Sequence, residues 1–249
     1  MTKWFLGLTV AAVVAASASA QTDPKMVVQK AIDAHGGADA LKKNPAGIYK
    51  VKGDMAVFGA DLSFTGDITY ELPDKYRMTL DAELAGQKIG VVTVANGKKV
   101  KNTVNGQAAK IGDAEKAEIA QAAKMQEVSM LTPLLDPKYT LKAEPDAKVG
   151  DDDVAVLLVT SEGFKPTKLS FSKKSGLLVK TERKGLAPAM GEPKEVTEET
   201  VLSEFKKVDG VMIPMKMLVN HDGKKFMAMT VVEAKLLDKV DAKTFAIDD

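Results

Sequence analysis

Two histidines, a set of methionines at strand spacing and no cysteine bound the chemistry open to this 249-residue chain. Without cysteine there are no thiolate nucleophiles, Cys-based zinc sites or dithiol redox motifs. The histidines are placed for local work. His35 precedes Gly36-Gly37 at the expected end of a helix, where a cation or ring N–H suits the exposed carbonyls. His221 falls in Asn220-His221-Asp222-Gly223, an expected hairpin tip, and reads as a surface or capping residue rather than a base. No His-Glu-x-x-His, Gly-x-Ser-x-Gly, Walker A or Gly-x-Gly-x-x-Gly pattern occurs. Carboxylates are numerous, yet no pair stands out as a general acid and base. Asp151-Asp152-Asp153 lacks the glycine and the twelfth-position glutamate of a calcium loop and reads as a solvated turn. No catalytic residue, metal ligand or cofactor is assigned, and the odds move from catalysis toward binding.

The methionines carry the positive signal. Met215 and Met217 share a strand face with Val219, and Met227 and Met229 share one with Val231. Unbranched, polarizable side chains repack around ligands of variable shape, although ordinary cores use them too. An apolar sheet face larger than its helical cover can bury an acyl chain instead, worth about 0.8 kcal/mol per CH₂ removed from water. The expected cavity lining adds Phe64, Ile68, Tyr70, Met78 and Leu80 from early strands, with Met130 and Leu134 from a helical insert. Leu186 and Met190 sit in a Gly- and Pro-rich stretch, Gly185–Pro193, and form an expected flap over the apolar site. A loop packed on its own sheet is the plainer reading of that stretch.

Periodicity supplies the elements that must position these residues. Pro24 to Lys43 carries Val27, Val28, Ala31 and Ile32 at helical spacing, with Asp23 as N-cap, Pro24 at the first position and an interruption at Gly36-Gly37. From Ile48 the period changes to two: Leu62, Phe64, Ile68, Tyr70 and Leu72, then Tyr76, Met78, Leu80 and Ala82, alternate with polar residues. Turn signals at Pro73-Asp74, Ala85-Gly86 and Asn96-Gly97 divide a meander of about five strands ending at Val104. Gly112 to Leu135 reads as a helical insert. Six more strands follow between Val154 and Leu236, with Asp209-Gly210 and Asp222-Gly223 as turns. The expectation is a mainly β (α+β) chain of about 11 antiparallel strands.

Residues 1–20 read as a secretory signal peptide: Lys3, an apolar stretch from Trp4 to Ala16, and Ala18-Ser19-Ala20 before Gln21. The stretch is shorter than the roughly 20 apolar residues of a membrane span. Cleavage near Ala20 would leave 21–249 as a single domain in the periplasm or secreted, not an integral membrane protein. Lysines and arginines number 35 against 34 acidic residues, interspersed, so no basic stripe suits nucleic acid.

The order of elements resembles the periplasmic lipoprotein-carrier superfamily, the LolA/LolB-like group that includes the sigma-factor regulator RseB. The resemblance rests on the helix ending Ala34-His35-Gly36-Gly37, on Ser172-Lys173-Lys174-Ser175-Gly176-Leu177-Leu178-Val179-Lys180, and on Phe205-Lys206-Lys207-Val208-Asp209-Gly210-Val211-Met212-Ile213-Pro214. It implies an unclosed β-barrel with the N-terminal helix and helical insert over its concave face. The implied ligands are lipid or the acyl chains of lipoproteins, with no catalytic residues. Both arginines, Arg77 and Arg183, fall outside the helical insert. Two rivals stand beside the carrier: an envelope sensor or scaffold binding another protein through the same sheet, and a hydrolase with an unrecognised site.

Overall fold

A computed structural model describes residues 23–57, 59–84, 86–187 and 193–247. The expected signal peptide and Met190 lie outside those residues. Helix α1 (Pro24–Ala34) starts as its sequence dictates: the Asp23 carboxylate accepts the Lys25 N–H at 2.9 Å, with Pro24 in the first turn. Its buried stripe is Val27, Val28, Ala31 and Ile32. Gly36 and Gly37, at φ 118° and 89°, turn the chain into α2 (Ala38–Lys43).

Strands β1 (Ala46–Val57), β2 (Ala60–Glu71), β3 (Lys75–Leu84), β4 (Gln87–Asn96), β5 (Lys99–Val104) and β6 (Gln107–Ala108) form the first meander. Helix α3 (Asp113–Ser129) and a 3₁₀ turn (Thr132–Leu135) follow. The second meander is β7 (Thr140–Val149), β8 (Asp152–Ser161), β9 (Phe164–Ser172), β10 (Leu178–Ala187), β11 (Lys194–Val208), β12 (Val211–His221) and β13 (Lys224–Leu237). The strand order is β6-β5-β4-β3-β2-β1-β13-β12-β11-β10-β9-β8-β7, antiparallel at each pairing. With β6 and β7 as its edges, the sheet is an unclosed half-barrel.

The described residues form thirteen strands, two beyond the roughly 11 expected, β6 and β7 being the additions. β6 is two residues long, below the reach of any periodicity. β7 reads Thr-Leu-Lys-Ala-Glu-Pro-Asp-Ala-Lys-Val, and its Pro145 and charges belong to an edge strand that discourages further pairing. Two turns follow the sequence closely: Asp209-Gly210 and Asp222-Gly223 both take positive φ at both positions, as type I′ hairpins require. The Asn96-Gly97 turn moves by one residue, because Asn96 pairs with Lys99 and the two-residue loop is Gly97-Lys98. Helix α3 opens at Asp113 with Gly112 as its N-cap, and the Gly112 N–H donates to Glu115 Oε2 at 2.7 Å.

The register places the turns at Gly59, Gly86, Gly163 and Gly223 at one end of the half-barrel, since Met55 pairs with Met227 and Glu198 with His221. Helices α1 and α2 close the other end. There Gly36 lies so near the β11–β12 turn that a Cβ would stand 2.1 Å from the Gly210 carbonyl oxygen, and the Met212 N–H donates to the His35 carbonyl at 3.0 Å. The core lines the concave face, with Val28, Ala31, Ile32, Tyr70, Leu131 and Leu169 among its fully buried members. A smaller cluster of Ala46, Val94, Val240 and Phe245 covers part of the convex face.

Candidate functional site

A cavity of about 300 Å³ lies between the concave face and α3. Its sheet wall follows from strand alternation: Met217 and Val219 on β12 face Met229 and Met227 on β13, pair by pair in register. Ile68 of β2 and Val231 extend the wall. Ala122, Met125 and Met130 form the opposite wall.

Helix α3 is held down largely by polar groups. Gln121 bridges the β8–β9 turn, its Nε2 donating to the Gly163 carbonyl and its Oε1 accepting from the Lys165 N–H, both at 3.0 Å. Lys124 donates to the Glu162 carbonyl at 3.1 Å, and Lys138 to Glu127 Oε1 at 2.7 Å. The helix's buried residues are Gln121, Ala123, Glu127 and Val128, a mixed set. Polar side chains tie the helix to the β8–β9 turn, Val128 joins the main core, and Ala122 and Met125 border the cavity.

The turn end of the cavity carries a charged cluster. Arg183 on β10 places Nη1 2.5 Å from Glu118 Oε1 of α3 and Nη2 2.8 Å from Glu198 Oε1 of β11. The first contact is an ion pair without the alignment of a hydrogen bond. Lys165 adds a 2.7 Å bridge to Glu118 Oε2. Thus the arginine lies on the sheet, with one carboxylate partner on the helix and the other on β11. His221 corrects its expected surface role: its side chain is 11% exposed, stacked on Phe226 with centroids 4.1 Å apart, and its Nε2 is 3.5 Å from Glu198 Oε2.

The closed end is built differently. His35 does end α1, with Nδ1 2.8 Å from the Ala31 carbonyl, but its ring also lines the cavity. Burial holds its pKa below the ordinary imidazole value, against the opposing pull of the Ala31 hydrogen bond. Close by in the fold, the Tyr49 and Tyr70 hydroxyls share a 3.1 Å hydrogen bond. Burial pushes the Tyr49 phenol up to about 12, so it stays a neutral hydroxyl.

Of the expected lining residues, Ile68, Met130, Met217, Met227 and Met229 border the cavity. Phe64, Tyr70, Leu134 and Met215 are buried in the surrounding core, and Met78 and Leu80 pack against it half-buried. Tyr70 and Phe64 cover glycines on β1: a Cβ on Gly47 would meet the Tyr70 ring at 2.8 Å, and one on Gly53 the Phe64 ring at 2.9 Å. Leu186 is part of β10, opposite Glu195, where a flap was expected. Asp151 lies in the β7–β8 turn, and Asp153 pairs with Lys148 at 2.8 Å. Arg183, Glu198 and His35 are cavity residues that periodicity did not reveal. The available signal was Arg183 itself, an arginine sharing an inward strand face with Thr181.

These features define a class: an unclosed antiparallel half-barrel with a helix laid across an apolar hollow. No known family's sequence profile matches the chain, and no curated protein matches it. In three dimensions it is similar to a LolA superfamily protein from Nitrosomonas europaea, at 12% identity and a TM-score of 0.59, covering 90% of this chain and 97% of that one. It is also similar to a DUF1329 family protein from Desulfovibrio piger, at 13% identity and a TM-score of 0.55, covering 90% and 98%. A domain assigned to an outer membrane lipoprotein-sorting protein from Vibrio parahaemolyticus aligns at 10% identity and a TM-score of 0.54, covering 90% and 97%. The fold is therefore that of the LolA superfamily structures. Among the described residues no helix is long and apolar enough to cross a membrane.

Proposed function

We propose that residues 21–249 form a single-domain carrier that holds an acyl chain of a lipid or lipoprotein between the concave face and α3. In this reading residues 1–20 direct export and are removed, the carrier works in the periplasm, and it performs no chemistry on its cargo. The observation that carries the proposal is the methionine wall, Met217, Met227 and Met229, facing Met125 and Met130 across about 300 Å³. Each CH₂ sheltered there contributes about 0.8 kcal/mol. The lipoprotein-sorting description of one structural neighbour points the same way.

Native mass spectrometry of protein purified from its own host tests this directly: a co-purified lipid is expected. Binding is measured with an uncharged solvatochromic dye, and the double substitution Met227→Asp and Met229→Asp should abolish it. Circular dichroism accompanies that assay, because a carboxylate buried without a partner costs several kcal/mol by order of magnitude and can unfold the chain. A folded double variant that binds dye as wild type does would remove these residues from the site. An empty cavity together with stoichiometric capture of an envelope protein would favour the scaffold reading instead.

A further inference from the structure

We infer that the cavity selects amphiphiles whose polar part is an uncharged hydrogen-bond donor, a hydroxyl or amide N–H, and seats that donor on His35 at the closed end; this rests on the lipid-binding reading above. The assignment begins with one nitrogen. His35 is 5% exposed, and its Nδ1 lies 2.8 Å from the Ala31 carbonyl oxygen. A carbonyl can only accept, so Nδ1 carries the proton. Burial keeps the ring in its neutral form. Nε2 is then left with a lone pair and no proton.

That lone pair borders the cavity. Among the described residues no N–H or O–H donates to Nε2. The ring makes a T-shaped contact with Phe205, with centroids 6.1 Å apart and planes at 85°, and Leu41 and Val211 also line the hollow. Nε2 is not sealed off, so water can meet it in the cavity; a ligand that displaces that water must bring a donor of its own or leave the acceptor unpaired.

A carboxylate or phosphate suits this end poorly, since its oxygens bring more lone pairs and no proton. At the other end, the described residues that line the cavity offer such a head no unpaired lysine or arginine. Among the described lining residues Arg183 is the one arginine, and it is already engaged by Glu118 and Glu198, as the neighbouring Lys165 is by Glu118. With two cations set against two carboxylates, the cluster closes on itself. Both ends of the cavity thus favour a neutral amphiphile over a free fatty acid.

The experiment compares a long-chain alcohol, its methyl ether and the carboxylate of equal length, each displacing the uncharged dye from wild-type protein. The alcohol should bind about tenfold tighter than the ether, which keeps the oxygen but lacks the donor, and tighter than the carboxylate. In His35→Phe the alcohol-to-ether ratio should fall to about one, the value expected when that hydrogen bond is lost. If the variant fails to fold, the wild-type ratio decides alone. Equal wild-type affinities for alcohol and ether, or a carboxylate that binds tightest, would overturn the selection while leaving lipid binding intact. If none of the three displaces the dye, the lipid-binding reading falls and the selection falls with it.

Discussion

The two ends of the half-barrel are made of the same strands and serve opposite needs. At the closed end, α1 sends Val28, Ala31 and Ile32 into a core where they are fully buried, and Tyr70 lies flat over Gly47. At the turn end, burial along β1 declines toward Val57, and Leu84 is 42% exposed. Order there comes from charge, through Arg183 and its two carboxylates. Close packing tolerates little change, whereas a polar clamp across an apolar hollow can be undone without dismantling the core. The difference places close packing at one end and a polar clamp at the other.

The largest effect should come from the closed end. Ile32→Ala removes a fully buried side chain and should lower the unfolding free energy by about 2–5 kcal/mol in a denaturant titration. A loss below about 1 kcal/mol would mean that the end is not close-packed. Next, Arg183→Met at the turn end leaves Glu198 without its arginine and should cost roughly 1–3 kcal/mol, less than a fully dry pair. Its more specific readout is hydrogen exchange: amides of α3 should exchange faster while those of α1 keep their protection. Equal acceleration in both helices would erase the contrast between the ends.

A third test uses pH. Glu71 accepts from Lys75 at 2.5 Å and from the Val240 N–H at 2.9 Å, and these bonds hold its carboxyl below the ordinary value of 4.5. The stabilisation is complete above that ordinary value and is lost as pH falls through the lower folded value. Glu71→Gln should therefore flatten the acid limb of a stability–pH curve and leave the neutral region shallow. An unchanged acid limb would show that the carboxylate is not pinned. The smallest effect is expected for Leu84→Ser at the rim, within about 0.5 kcal/mol; a larger loss would reveal packing at the turn end.

Legibility in the sequence followed the same division. Alternation exposed the dry faces of β2, β3, β12 and β13, and through β2, β12 and β13 four residues that border the cavity, Ile68, Met217, Met227 and Met229. Asp-Gly pairs marked two hairpins to the residue. What stayed hidden depended on contacts between distant segments. Arg183 and Glu118 are 65 positions apart by their numbers, and no local pattern announces that a strand arginine meets a helix glutamate. His221 sits beside a turn signal, yet Phe226 and Glu198 draw it inward. His35 was legible as a helix end, while the hollow beside it depends on β11 and β12. Edge strand β7 escaped because charges and Pro145 disguise it.

The pairing of β1 with β13 joins the two meanders, and it sets a timetable for the chain. Ala46 meets Leu237, so the seam joins segments separated by most of the polypeptide. Each meander can form from neighbours in sequence, but the seam waits for β13. Until then β1 is an open strand edge carrying Val51 and Met55, the kind of surface that recruits other chains. A polypeptide emerging from its N-terminus would pass its longest vulnerable interval between completing β2 and acquiring residues 224–237. The sooner that last strand arrives, the shorter the time in which the β1 edge is open to pairing with another chain.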